Sequence, residues 1–338
     1  PQDSLNSEAF IFVDSPTLAL KQKIEQVGTP LKEWDIAIYR GVLTGYNEAF
    51  IIDTQTKEAI LDSCDNSIKS PLPCGGGLGV GLTERERTEQ LIKPILRGRD
   101  IKRYSYEWAD LWLIGTFPAL KLNIDDYPAL KKYLENFMPR IAQSGEKGCR
   151  KKTSNKWFET QDNIAYYEDF EKEKIVWNRI SSELCFSYDN KGHLILDSMF
   201  MINCADKFLR HYFIGVLNSN LAKFWIKNNA ATLGDGVYGA KIYIEKLPIP
   251  KITKENQNLV DELVNLVDTI LVIKSCHTEH SEVSQNIESK RDISPMAQYD
   301  KRKKLQNDKI INDLESQIND LVYKLYELDS HEIQIIEN

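Results

Sequence analysis

The 338-residue chain has no run of about 18 apolar residues, the length a membrane helix needs. Its most apolar window, Leu263 to Ile273, is interrupted by Asp268, so no membrane span is expected. It also has no Cys-x-x-Cys pair. Cys64, Cys74, Cys149, Cys185, Cys204 and Cys276 are scattered, which predicts reduced thiols and neither a zinc ribbon nor a redox pair. No Gly-Lys-Ser/Thr follows the glycine-rich stretch from Ser70 to Gly81, and no Gly-x-Gly-x-x-Gly register fits it, so a loop is expected there in place of a phosphate cradle. None of the 12 prolines adjoins another. That removes the Asn/Asp/Ser-Pro-Pro-aromatic loop with which a DNA amino-methyltransferase holds a flipped base. Asp/Glu-x-Lys occurs three times, fewer than this composition gives by chance, so it carries no nuclease signal. Cys276, His277 and His280 lie close together without further ligands, and no metal is expected. No nucleophile stands with a base and an orienting group.

Excess positive charge is missing as well: 43 Lys+Arg against 50 Asp+Glu give a net −7, which excludes a strongly basic architectural protein. The sum conceals a segregation. Residues 254–338 hold 10 basic and 17 acidic side chains, the whole deficit, whereas residues 91–160 hold 14 basic and 8 acidic. Two clusters supply that excess: Arg97, Arg99, Lys102 and Arg103, then Lys147, Arg150, Lys151, Lys152 and Lys156. Tyr104, Tyr106, Trp108, Trp112 and Trp157 are interleaved with them. A neutral body with one basic stripe and an acidic appendage suits a polyanion held on one face. With 42% apolar and 10% aromatic residues, the chain buries a core and has the length of two domains. It starts at Pro1 with no signal-type segment, which predicts a cytoplasmic protein and a fragment of a longer one.

Ser15 to Val27 reads as an amphipathic helix ended by Gly28. Asp35–Tyr39, Ala49–Asp53, Leu111–Thr116 and Lys174–Trp177 read as strands, with a glycine-bounded turn from Arg40 to Tyr46. Tyr127-Pro128 opens a helix carrying Leu130, Tyr133, Leu134 and Phe137. Phe186 to Leu196 reads as a hairpin turning at Asp189 to Gly192, and Phe208 to Trp225 as one buried helix. A domain boundary is expected at Pro250, giving domains 1–250 and 251–338. Beyond it, Leu259, Leu263, Leu266, Ile270 and Ile273 form one heptad seam, and Ile311, Leu314, Ile318, Leu321, Leu325 and Leu328 another. Neither is stable alone, so an antiparallel helical pair is expected, too acidic to bind DNA. Inserts of about 66–90 and about 275–304 are expected to be mobile.

Several segments in order resemble one family: Gly41 to Asp53 (GVLTGYNEAFIID), Ile92 to Tyr104 (IKPILRGRDIKRY), Tyr127 to Leu134 (YPALKKYL), Trp157 to Glu159, Lys174 to Ser181 (KIVWNRIS), Leu217 to Ser219, Lys246 to Pro250 (KLPIP) and Leu321 to Tyr326 (LVYKLY). Together the chain resembles the TaqI-like C-terminal specificity domain of combined restriction–modification enzymes and adenine-specific DNA methyltransferases. The resemblance implies an α/β (α+β) target-recognition domain with mixed β-sheets, related to those of type I specificity subunits, followed by the helical pair. It also implies double-stranded DNA as partner. Methyltransferase or nuclease domains would lie in the same or another polypeptide and would hold any S-adenosylmethionine and Mg²⁺, leaving this chain without a cofactor or catalytic residue. The residues expected at DNA are Arg40, Thr44, Arg97, Arg99, Lys102, Arg103, Arg150, Lys151, Lys152, Asn155, Lys156, Trp157, Gln161 and Arg179, since Arg, Lys, Asn and Gln suit phosphates and purine edges. Asp100 is expected to orient an arginine, and Trp157 to be a core residue or to stack on a base. A helical assembly or specificity subunit acting with a separate methyltransferase or nuclease chain is the competing reading.

Overall fold

Eight strands build two sheets: β1 (Ala37–Arg40), β2 (Ile51–Asp53), β3 (Ile92–Leu96), β4 (Leu111–Ile114), β5 (Lys174–Asn178), β6 (Phe186–Asp189), β7 (Leu194–Ile195) and β8 (Met199–Asn203). The structure, a computed structural model, describes residues 15–65, 81–181, 184–230, 232–233, 236–238, 241–285 and 295–338. Of residues 232–233, 236–238, 276–285 and 295–301 only the backbone is described. The first sheet runs β1-β8-β5-β6 and is antiparallel throughout. The second runs β2-β4-β3-β7, with only β3 and β7 parallel.

The first sheet is a wall between two cores, which explains why β5 and β8 read as unbroken apolar runs. Successive side chains of a strand point to opposite faces. Ile175, Trp177, Phe200 and Ile202 accordingly enter one core, and Val176, Met199 and Met201 the other. The second core closes under the second sheet with the helices α2 (Thr54–Asp62), α3 (Glu84–Leu91) and α4 (Pro128–Glu135), through Ile60, Leu91, Leu130 and Leu134. The first core takes α1 (Ser15–Val27), α5 (Lys207–Leu217), α6 (Asn220–Lys227), α7 (Gln257–Gln285), α8 (Pro295–Leu325) and the edge of the closing helix α9 (Ser330–Glu337).

Helices α1 and α4 lie where spacing predicts them, and the fold is the mixed α/β architecture with packed C-terminal helices. Other expectations are corrected. Phe186 to Leu196 is not a hairpin, because β6 pairs with β5 in one sheet and β7 with β3 in the other. Phe208 to Trp225 is two helices, because Ser219 leaves the helix and its hydroxyl caps the next one at Ala222 N. The insert expected at 66–90 ends in α3, fixed by a Thr83–Glu86 capping box, while residues 66–80 lie outside the described residues. The insert expected at 275–304 is helical up to Gln285 and again from Pro295; 286–294 lie outside the described residues.

Nine residues reach at most about 32 Å and cannot run back along a helix of roughly 43 Å, so α7 and α8 are antiparallel. They do not bury themselves on each other alone. The fully buried stripe of α7 is Val260, Leu263, Val267 and Ile270, whereas Leu259 and Leu266 of the heptad seam are half-buried. A Cβ on Gly215 of α5 would meet Leu263 at 2.7 Å and Val267 at 2.9 Å, which shows how closely α7 sits on α5. Tyr212 Oη donates to the Pro250 carbonyl at 2.9 Å and Tyr326 Oη to that of Pro248 at 2.5 Å. The first core thus runs continuously across Pro250.

Candidate nucleic-acid interface

One end of the wall sheet collects side chains from four distant segments. Arg40 is paired with Phe200, and Asn178 with Met199, so Arg40 and Arg179 leave the sheet on either side of β8. Asn178 Nδ2 donates to the Gly98 carbonyl at 2.9 Å and draws the loop with Arg97 and Arg99 to the same end. Arg40 is half-exposed and pairs with Asp197 at 2.9 Å, with Asp162 nearby. Arg97 is clamped by Asp100 through Nε at 3.1 Å and Nη2 at 2.8 Å, as the sequence suggests; this hydrogen bonding raises the Arg97 pKa. Arg99 is exposed and has no partner among the described residues.

The glycine turn is threaded beside this end. Val42 N donates to the Ile195 carbonyl at 2.7 Å, and a Cβ on Gly41 would lie 2.0 Å from the Leu196 carbonyl oxygen. Only glycine fits so close to backbone. Gly45 has φ +77°, and a Cβ there would lie 2.5 Å from Gln161 Oε1 and 2.8 Å from Arg150 Cδ. The turn is therefore pressed onto the loop of residues 139–161, and Gln161 N donates to the Leu43 carbonyl at 3.0 Å.

Arg150 makes that joint. It is 3% exposed, and its guanidinium donates to four carbonyls: Ile141 at 2.8 Å, Thr44 at 2.7 Å, Glu159 at 2.8 Å and Trp157 at 2.6 Å. Burial lowers its pKa to about 10, still charged at neutral pH. Arg150 is thus a structural arginine, in correction of the DNA-contact role expected from its place in a basic run. Asn155 is corrected likewise, because its amide donates to the Thr160 and Gln161 carbonyls at 3.2 and 2.9 Å. The Thr44 hydroxyl, buried, donates to Asn47 Oδ1 at 2.6 Å. Trp157 is half-buried with its ring edge-on to Phe158, at 5.7 Å between centroids.

What remains outward on this loop is Lys147, Lys151 and Lys152, all exposed. Lys156 is exposed too, but reaches the Leu122 carbonyl at 2.8 Å. Arg140, which sequence reasoning missed, is exposed and donates to Tyr46 Oη at 3.2 Å. The first basic cluster divides. Lys102 is exposed, 3.7 Å from Glu107, whereas Arg103 turns toward the helices and joins the Asn218 carbonyl and, at 3.2 Å, Glu315 of α8. Arg40, Arg99, Lys151, Lys152, Gln161 and Arg179 thus belong to the sheet end and its adjoining loop, with Arg97, Arg150 and Asn155 building the support beneath them. The Arg40–Asp197 pair, 157 residues apart in sequence, leaves no signal that sequence alone offers.

Residues 93–249, which include Arg97, Arg99, the 139–161 loop and Arg179 but not Arg40 or the glycine turn, match the TaqI-like C-terminal specificity domain. The chain is similar in fold to the type IIL restriction–modification enzyme MmeI in complex with DNA, at 11% identity and a TM-score of 0.53, over 90% of this chain and 35% of that one. It also resembles the type IIG restriction endonuclease BpuSI, at 12% identity and a TM-score of 0.45, over 93% of this chain and 34% of that one. The chain therefore spans about a third of the length of these enzymes. No curated protein matches it.

Proposed function

We propose, from the match of residues 93–249 to the TaqI-like C-terminal specificity domain, that the protein reads double-stranded DNA as the target-recognition module of a restriction–modification enzyme. The observation that carries the reading is the overlap of that matched segment with the sheet end to which Arg99 and Arg179 are brought, beside the loop, fastened to the adjoining glycine turn by Arg150 and Gln161, on which Lys151 and Lys152 are exposed. Exposed lysines and Arg99 take phosphates, which set affinity and register and make binding fall with salt. Gln161 and Arg179, half-buried and held by backbone contacts on the loop and the strand end, are the candidates for base edges, where fixed donors discriminate. Arg97 and Arg150 hold the loops in register.

Methyl transfer and cleavage belong to methyltransferase or nuclease domains in the same or another polypeptide, which would bind S-adenosylmethionine and Mg²⁺. No metal-binding group of three or more His, Cys, Asp or Glu occurs among the described residues, and no described helix is long and apolar enough to cross a membrane. Fluorescence anisotropy with duplex DNA across a salt series tests the reading. Binding that weakens steeply with salt supports it, and no binding at low salt refutes it. Methylome sequencing of cells carrying the complete gene then identifies the recognised bases.

A further inference from the structure

Arg40 is held differently from the arginines that build the support. Arg150 is buried, and every nitrogen of its guanidinium donates to a carbonyl. Arg97, clamped by Asp100, has a side chain only 22% exposed. The Arg40 side chain is 40% exposed and is bound along one edge alone: Nε donates to the Asp197 carbonyl at 3.3 Å and Nη2 to Asp197 Oδ2 at 2.9 Å. A guanidinium presents its N–H groups in a fixed planar fork. The end edge of that fork, formed by Nη1 and the outer N–H of Nη2, has no hydrogen-bond partner among the described residues.

Backbone bonds fix where that edge lies. Tyr166 Oη donates to the Arg40 carbonyl at 2.9 Å, and the Tyr166 ring stacks on Tyr39 at 4.4 Å between centroids. Gly41 N donates to the Met199 carbonyl and Asp197 N to the Val42 carbonyl, both at 3.0 Å. The arginine and its carboxylate are therefore tied down beside their own Cα atoms, which is the preorganisation a discriminating contact needs. β8 separates Arg40 from the end of β5, where Arg179 follows. Two strand spacings and about two residues put their Cα atoms roughly 12 Å apart, the length of three to four base-pair steps.

The charge around Arg40 disfavours a phosphate. Asp197 pairs with it, and Asp162 lies close to both: burial raises the Asp162 pKa, Arg40 opposes that shift and Asp197 adds to it. One guanidinium beside two carboxylates makes the spot net negative, which repels an anion. A base edge carries no net charge, and guanine offers O6 and N7 in the major groove at the spacing of a guanidinium edge. We propose that Arg40, oriented by Asp197, reads a guanine of the recognised sequence through Nη1 and Nη2. This rests on the DNA-recognition reading above and extends the reading surface beyond residues 93–249, since Arg40 lies outside the matched segment. Arg40 is then the specificity-determining group and Asp197 its positioning residue.

The test selects preferred sites from a pool of randomised duplexes with the complete chain and with its Arg40→Gln, Arg40→Lys and Asp197→Asn variants, thermal melting checking each fold. The wild-type motif is expected to contain a guanine whose preference falls about tenfold or more in both Arg40 variants, while its other positions are kept. Glutamine, which suits adenine, is expected to shift that position toward adenine. Asp197→Asn is expected to weaken the same preference and no other. Should Arg40→Gln not melt cooperatively, Arg40→Lys and Asp197→Asn decide. A motif unchanged in the variants, or wild-type binding with no base preference, overturns the proposal. So does uniform weakening on every sequence with a salt slope lowered by about one unit in Arg40→Gln and kept in Arg40→Lys, which makes Arg40 a phosphate contact. A guanine lost in the Arg40 variants but untouched in Asp197→Asn removes the positioning role alone. None of these results touches the finding that the chain binds DNA. If the wild-type chain binds no duplex at low salt, the recognition reading falls as well.

Discussion

Replacing Arg150 by Met keeps much of the side-chain volume and removes a guanidinium that joins four carbonyls of two separate segments, Thr44 on the glycine turn and Ile141, Trp157 and Glu159 on the adjoining loop. A buried acceptor left without its donor costs about 1–3 kcal/mol. Some of the four recover water once the loop loosens, so the loss is about 4 kcal/mol, a large part of the roughly 5–15 kcal/mol that holds a domain folded. At about 2–4 °C per kcal/mol for a chain of this size class, the melting temperature is expected to fall by roughly 10 °C. Arg150→Lys rescues little, since one ammonium does not reproduce the planar fork that spans both segments. Urea unfolding followed by tryptophan fluorescence reads the change directly, because Trp157 lies on the affected loop. A destabilisation below about 1 kcal/mol, accompanied by lost DNA affinity at unchanged stability, would refute the structural role and return Arg150 to the interface.

Lys151→Ala with Lys152→Ala is the complementary perturbation: stability within about 0.5 kcal/mol of the parent, and a DNA salt slope lowered by about one unit per lost phosphate contact. Gly41→Ala is expected to disrupt the crossing of the turn over Leu196, because the backbone oxygen 2.0 Å from the new Cβ has no room to withdraw; loss of soluble, cooperatively melting protein is the readout. Leu263→Ala, at a fully buried position, should cost about 2–5 kcal/mol in urea unfolding, and Leu266→Ala clearly less because that side chain is half-buried. Burial lowers the His211 pKa against the opposing pull of Asp268. The unfolded chain therefore takes up a proton near its ordinary value of about 6.5 while the folded one does not. Stability is expected to fall as pH drops through that value, and His211→Gln to flatten that part of the profile.

Local structure was legible wherever it depends on local pattern. The helix from Ser15 to Val27 and the Pro128 helix follow from capping and spacing, and β5 from an apolar run. What was not legible is which strand joins which partner. The segments on either side of the Asp189–Gly192 turn are close in sequence and turn-linked, which is the pattern of a hairpin, but parallel pairing of Leu194 with Ile95 takes the second into another sheet. The heptad seams correctly located two long helices. Their period describes a two-helix contact, however, and α7 also packs on α5, so burial shifts to Val260, Leu263 and Val267. At the interface, composition found the basic runs but not the division within them. Whether an arginine faces solvent or a set of carbonyls depends on loops brought together in space, as Arg150 and Lys151, adjacent in sequence, illustrate.

The crossing from β6 to β7 also explains a buried ion pair that a purely apolar wall would not need. The chain leaves one sheet at Asp189 and enters the other at Leu194, so its turn exposes amides inside the protein. Asp189 accepts from Lys191 N at 3.0 Å and His193 N at 2.9 Å, contacts His193 Nδ1 at 2.9 Å, and pairs with Lys174 Nζ at 2.6 Å. Burial alone would push the Asp189 carboxyl up, but Lys174 and His193 outweigh it and hold the pKa at about 2. Lys174 in turn donates to the Phe170 carbonyl at 2.5 Å. An apolar pair of equal volume often replaces a buried ion pair without loss. Here it would orphan the two turn amides and the Phe170 carbonyl, so exchange by Leu at both positions is disfavoured. The network fixes the point at which the two cores are sewn together. The same two sheets place Arg179 and Arg99 at one end through β5 and β3, so the geometry of the basic face depends on a crossing that lies at the opposite end of β5.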